Sequence, residues 1–222
     1  MSHFDRAALA HKLTAETDAL PFALTEEEIA SLLDFLALLA KWNKVYNLTA
    51  VREPEQMLTQ HVLDCLAVCP AFTAAHRVLD VGAGGGLPGM VLAIWARRYA
   101  PDMRVSLIDT VHKKTAFLTQ VKAEVGLTNV TVLTGRVEEL LAAEKFDVIT
   151  SRAFAELADF VNWSGHLLEQ DGRFIAMKGI APHEEITRLP QGWAVTAVQA
   201  LAVPGLQAER HLVIIERQHA AG

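Results

Sequence analysis

The run Asp80-Val81-Gly82-Ala83-Gly84-Gly85-Gly86-Leu87-Pro88-Gly89 places five glycines in the eight positions from Gly82 to Gly89. It follows the branched stretch Val78-Leu79-Asp80-Val81 and precedes an apolar stretch of helical character over 88–99. It therefore reads as the turn between a first strand and its helix. Glycines there allow a tight turn and a close approach of backbone N–H groups to a ligand. Pro88 suits a first helical turn, where its missing N–H would have had no partner.

Outward from this turn the pattern repeats. Branched runs at 105–109, 130–133, 147–151 and 174–178 alternate with helical stretches at 113–125 and 156–169. Strand, helix, strand at this rhythm describes right-handed crossovers and a parallel sheet. Two further strands, 193–201 and 211–217, read as an antiparallel pair closing one edge. Upstream the chain is helical. Thr25 and Glu28 form a capping box, followed by Ile29, Leu32, Leu33, Leu36, Leu39 and Ala40 on one helix face. Weaker helices are expected over 4–19 and 53–70, with Lys41–Thr49 as the joining segment. The expected architecture is α/β: a helical extension over 1–60 and a Rossmann-like domain over 61–222.

Composition sets limits. The 222 residues suffice for one good core, and no apolar run reaches the ~18 residues that span a bilayer. The N-terminal MSHFDRAALAHKL is charged throughout and offers no signal-peptide core. Cys65 and Cys69, four apart, read as buried small hydrophobes in a reducing compartment, and no metal site is expected from scattered histidines. The net charge of −6 is uneven: residues 1–40 carry seven acids against two bases, leaving the remainder close to neutral. A nearly neutral body can still carry a basic patch.

The loop's chemistry narrows its ligand. A Walker loop requires Gly-Lys-Ser/Thr, and Gly86 is followed by Leu87-Pro88. The dinucleotide glycine spacing fits poorly, which disfavours a nicotinamide oxidoreductase. Asp80, beside the loop, would repel a pyrophosphate but suits a cationic amine. S-adenosylmethionine has an ammonium, a sulfonium and no phosphate. The backbone at Gly82 and Gly84 would approach it. Asp109, ending the second strand, can accept bonds from both ribose hydroxyls of an adenosyl group. After the third strand, a backbone group near Val137 could read the adenine edge. Glu138 either accepts from the exocyclic amine or serves as a helix N-terminal acid.

Ser151-Arg152-Ala153-Phe154 follows the fourth strand, where a methyltransferase places groups facing cofactor and substrate. There is no Asn/Asp-Pro-Pro-aromatic run there and no nearby nucleophilic cysteine. Arg152 suggests a nucleophile with its own lone pair, such as guanine N7, flanked by the O6 acceptor; a structural salt bridge is the alternative. Lys113, Lys114, Arg136 and Lys178 fall at strand ends and could form a basic rim for RNA. Trp42, Tyr46, Lys41 and Lys44 could stack on bases or contact phosphates, or could pack a core. His61 and Asp64 share a helix face, either as a functional pair or as a satisfied buried one.

These stretches resemble the bacterial 16S ribosomal RNA guanine-N7 methyltransferases, the glucose-inhibited division protein B family. The matching segments are Trp42-Asn43-Lys44-Val45-Tyr46-Asn47-Leu48-Thr49-Ala50, His61-Val62-Leu63-Asp64, the glycine loop, Asp109 with Lys113-Lys114, Arg136-Val137-Glu138, residues 146–153 and Lys178-Gly179. The resemblance implies a class I methyltransferase that uses S-adenosyl-L-methionine to methylate one guanine of 16S rRNA in the cytoplasm. It implies a monomer acting within the small ribosomal subunit. It places Gly82 and Leu87 on the methionine side of the cofactor, Val137 and Glu138 on the adenosine side, and Arg152 between cofactor and substrate. Lys113, Arg136 and Lys178 would form the substrate surface, joined by Asn43 and His61, with Arg152 and Lys178 nearest the chemistry. Cys65 and Leu87 depart from the serine and phenylalanine common in similar proteins. A methyltransferase for another RNA site or a small molecule, and a noncatalytic RNA-binding protein, are the alternatives.

Overall fold

The computed structural model describes residues 4–153 and 156–218. Seven strands form one sheet in the order β3-β2-β1-β4-β5-β7-β6. They are β1 (Arg77–Val81), β2 (Arg104–Asp109), β3 (Val130–Thr134), β4 (Phe146–Arg152), β5 (Leu168–Lys178), β6 (Trp193–Ala200) and β7 (His211–Arg217). The first five are parallel, and β7 inserts antiparallel between β5 and β6. The strand order reverses beside β1, which opens a crevice at the carboxyl ends of the strands.

Helices cover both faces. On one side lie α1 (Arg6–Thr17), α2 (Glu26–Tyr46), α5 (Gly89–Tyr99) and α6 (His112–Val125). With them runs a continuous helical segment: α3 (Pro54–Met57), a π-helical turn (Leu58–Leu63) and α4 (Asp64–Val68). Leu9, Leu13, Phe35, Leu36 and Leu39 of the first two helices share one core with Val78, Ile94, Trp95 and Leu107. The expected junction at 60/61 falls inside the π-helical turn. The opposite face buries Leu79, Val81, Ile149, Phe160 and Phe174 under α7 (Leu157–Ser164). Residues alternate between the two faces of β1, so Val78 and Asp80 point toward α5 while Leu79 and Val81 point toward α7.

Three expectations change. The Lys41–Thr49 segment is not a connector through most of its length, because α2 continues through Tyr46 and ends at Asn47 with φ +50°. The helix expected over 156–169 stops at Ser164, and β5 starts at Leu168, six residues before the run that marked it. Polar Glu169-Gln170-Asp171 hide that start. The β4–β5 register jumps from Phe146↔Leu168 to Val148↔Arg173 and absorbs the extra residues in an irregularity. Finally α8 (His183–Thr187) is a short surface helix with no buried residue, so it carried no apolar signature.

The capping box forms as the sequence requires: Thr25 Oγ1 accepts from the Glu28 N–H, and Glu28 Oε2 accepts from the Thr25 N–H. Thr25→Ala is expected to cost about 1 kcal/mol. Urea denaturation should show a lower midpoint at unchanged slope.

Candidate active site

A cleft of about 360 Å³ opens at the carboxyl ends of β1 to β4, lined by Val81, Gly82, Ile108, Asp109, Thr110, Lys114, Gly135, Arg136, Val137, Glu138, Ala153 and Trp163. Every strand contributes its last residue or the turn just after it. The volume lies in the range of small-molecule sites.

Asp109 organises the cleft. Its Oδ2 accepts the Gly84 N–H at 3.0 Å and lies 3.5 Å from Lys114 Nζ, and its Oδ1 accepts the Val111 N–H at 2.9 Å. A carboxylate has about four acceptor positions, so Oδ1 retains capacity for a ligand. Gly84 adopts φ +54°, where an L side chain would be strained, and this conformation presents its N–H to Asp109. Opposite, Val137 supplies a buried apolar wall. Glu138 lies there as well, paired with Arg136 at 2.7 Å. Arg136 also lies 3.8 Å from Glu139, so its charge is largely answered within its own turn.

Not every expected residue reaches this cleft. Asp80 is fully buried beneath the glycine loop: strand alternation turns it toward α5, where Oδ2 accepts the Gly89 N–H at 2.9 Å. Its Oδ1 has no hydrogen-bond partner. Burial pushes the carboxyl up to about 7. The expected direct contact with a cofactor ammonium is corrected to a place under the loop. The Leu87 side chain is buried in the core beside α5, so the part of this residue that faces the loop is its backbone. Asn43 spends its amide on the chain itself: Nδ2 donates to the Val51 carbonyl and Oδ1 accepts the Thr49 N–H. At 2% exposure it pins the 47–51 turn instead of meeting a substrate. Lys178 pairs with Glu185 at 2.7 Å, and Glu185 also accepts the Leu157 N–H. That ion pair fastens α8 and α7 to the end of β5, outside the cleft. Phe154 lies outside the described residues.

Arg152 leads to a second, buried constellation. Its Nη1 donates to the Gln60 carbonyl at 3.1 Å and to Asp64 Oδ2 at 3.4 Å, and both terminal nitrogens lie 3.3 Å from His61 Nδ1. Asp64 Oδ1 accepts from Arg210 Nε at 2.9 Å, so two guanidiniums share one carboxylate. Of the two readings of His61 and Asp64 the buried, satisfied one matches, but through other partners: Asp64 holds the arginines rather than the His61 ring. The π-helical turn brings the Gln60 carbonyl and the His61 ring together toward Arg152, a use of π geometry common at functional sites. Burial, then the charge of Arg152, lowers His61 to about 4, so the ring is neutral near pH 7. Nδ1 lies 2.9 Å from the Gln60 carbonyl, nearer than either Arg152 nitrogen, so the proton belongs on Nδ1 and Nε2 accepts from the Thr49 hydroxyl at 2.7 Å. His61 is 5% exposed and fully engaged, which corrects its expected role as a substrate contact. Sequence reading missed Arg210, Thr110 and Trp163. Arg210 lies in an irregular stretch before β7, and Trp163 is one aromatic among many at helical spacing.

The Asp80 environment sets a pH dependence. A carboxyl at 3.8 when unfolded and about 7 when folded binds more protons in the native state between those values. Native stability contributed there is full below pH 3.8 and is lost as pH rises to about 7. Relative to the native chain, Asp80→Asn should gain on the order of 4 kcal/mol across that window. Denaturation of both proteins at pH 4, 5.5 and 7.5 measures it; parallel curves would place the carboxyl outside this environment.

The family model for GidB, rRNA small subunit methyltransferase G, matches residues 28–213. The chain is 65% identical to the ribosomal RNA small subunit methyltransferase G of Herminiimonas arsenicoxydans, over 98% of this chain and 100% of that protein. It is 64% identical to the protein of the same name from Janthinobacterium sp. (strain Marseille), over 98% and 99%. Among solved structures, the O-methyltransferase from Bacillus cereus in complex with SAH aligns with a TM-score of 0.57 at 16% identity, covering 96% of this chain and 100% of that one. TrmN from Thermus thermophilus aligns with a TM-score of 0.54 at 19% identity, covering 72% and 53%. At such identities the structures show the shared class I methyltransferase fold alone. The sequence matches go further: the chain belongs to the rRNA small subunit methyltransferase G family.

Proposed function

We propose that this protein transfers a methyl group from S-adenosyl-L-methionine to N7 of a single guanine in 16S rRNA, acting as a cytoplasmic monomer on the RNA or the small ribosomal subunit. One observation carries the cofactor reading: Asp109 is held at the cleft floor by two backbone N–H groups with acceptor capacity to spare. The residues fit an adenosyl group. The acid suits a ribose diol, and the lining pairs Lys114 with Asp109 and Arg136 with Glu138, leaving no uncommitted cation for a pyrophosphate. A Cβ at Gly135 would meet nothing within 4 Å, so the mouth is open on that side. Among the described residues no helix is long and apolar enough to cross a membrane.

S-adenosylmethionine supplies an electrophilic methyl, and guanine N7 attacks with its own lone pair, so no side chain need remove a proton from the nucleophile. The protein's work is alignment and exclusion of water. Asp109 would accept from the ribose, while Val81, Ile108 and Val137 provide apolar wall and Glu138 the polar edge of the adenosine side. Gly82 keeps the floor thin. Arg152 ends β4 beside the cleft-lining Ala153 and keeps 22% of its side chain exposed. Its N–H groups not used by Gln60 and Asp64 are available to the guanine O6 or a neighbouring phosphate, and the buried ion pairs hold it in place. A basic residue here cannot neutralise the charge that develops on N7; its part is to position the base. Lys113, exposed beside the cleft, and the Arg136 turn are the RNA-facing groups of the rim.

Two measurements test this. Asp109→Ala should weaken S-adenosylhomocysteine binding by about 10- to 100-fold, the loss of charge-assisted hydrogen bonds; calorimetry giving an unchanged constant would reject the ribose assignment. Incubation of unmodified 16S rRNA with protein and methyl-labelled cofactor should label one guanine at N7. Arg152→Ala should lower that turnover at least tenfold while S-adenosylhomocysteine still binds. Label at another base, or none, would sink the proposal.

A further inference from the structure

Tyr46 closes α2 on the same side of the molecule as the cleft mouth, and it is the one residue of the Trp42–Tyr46 aromatic pair that remains open. Trp42 is committed: its Nε1 donates to Gln120 Oε1 at 2.9 Å and its ring lies 5.6 Å from Phe117. Tyr46 is 42% exposed, rests against Trp42 with centroids 5.0 Å apart, and has Lys113 Nζ over its ring at 5.5 Å. Lys113 is adjacent in sequence to Lys114, which lines the cleft and pairs with Asp109. The turn after Tyr46 approaches the glycine loop, since a Cβ on Gly85 would lie 3.9 Å from the Leu48 carbonyl.

The two segments that bear the ring and its lysine are one-sided in charge. Residues 35–52 contain Lys41, Lys44 and Arg52 and no acid; residues 110–123 contain Lys113, Lys114 and Lys122 and no acid. In a chain of net charge −6, two acid-free stretches meeting at an exposed aromatic ring are complementary to a phosphate backbone with an unpaired base. A supported ring is a stacking platform, and a lysine on a flexible stem above it can swing from the ring to a phosphate when a base arrives.

We propose that Tyr46 stacks on an unpaired base of the RNA substrate next to the target guanine, with Lys113 taking the adjoining phosphate. The inference rests on the RNA-methylating reading above and adds a specific recognition element to it. Tyr46→Leu keeps apolar bulk but removes the π face, and Tyr46→Phe keeps the face without the hydroxyl. Binding of unmodified 16S rRNA, measured across a salt series, should weaken about 10-fold or more for Tyr46→Leu and stay within about twofold for Tyr46→Phe. The salt slope should be unchanged for Tyr46→Leu and smaller by about one for Lys113→Gln. S-adenosylhomocysteine binding should be the same in all three. Native RNA affinity in Tyr46→Leu, or equal losses in Leu and Phe variants, would overturn the proposal. So would normal binding of naked RNA with loss confined to small-subunit particles, which would assign the ring to a protein contact. If the native chain itself fails to methylate 16S rRNA, the function reading falls; if it methylates and Tyr46→Leu binds normally, only the stacking inference falls.

Discussion

A single carboxylate at the end of β2 ties the glycine turn after β1 to the start of α6 at the floor of the cleft. Asp109 takes the Gly84 N–H from the first turn and the Val111 N–H from the start of α6, and lies beside the ammonium of Lys114. Remove it and two backbone donors at the cleft floor lose their acceptor, so the loop's shape and its ligand contact depend on the same atoms. This explains why an acid at that strand end is compatible with a glycine-rich turn that bears no phosphate-binding lysine. The acid presets the turn and presents the oxygen that remains.

The Asp64 constellation follows a different logic. A buried carboxylate with one guanidinium is seldom a net source of stability, because desolvation offsets attraction. Here one carboxylate, 3% exposed, holds two. Burial raises the Asp64 carboxyl above its ordinary value even as Arg152 and Arg210 oppose the shift. Such an arrangement is better understood as fixing direction. Arg152 has Gln60, His61 and Asp64 around it, and His61 in turn is anchored by Thr49, whose turn is pinned by Asn43. The residues first suspected of touching substrate from the helical extension thus form the frame for the one that ends β4.

The sheet was legible because its strands are apolar and regularly spaced, and the helical face of α2 because Thr25, Glu28 and the leucines agree. What escaped were features set by tertiary geometry. No local pattern announces that alternation along β1 turns Asp80 beneath the loop, or that Asn43 bridges two backbone groups of a turn six to eight residues on. Lys178 looked like a free strand-end cation because its partner, Glu185, sits on a short polar helix without periodicity. Arg210 was invisible because it lies in an irregular stretch ahead of β7, far along the chain from Asp64. The cleft itself was better marked, since Gly82, Asp109, Val137 and Glu138 all lie just after or at strand ends, where the fold class directs a ligand.

The position of β7 has a consequence for the group that ends β4. Every residue lining the cleft lies between Val81 and Trp163, yet Asp64 receives its second guanidinium from Arg210, just ahead of β7. The cleft therefore draws on one stretch of the chain, whereas the clamp around Arg152 is completed only by the connection that leads into β7. A change at the β6–β7 edge can thus loosen Arg152 without altering any residue that lines the cleft.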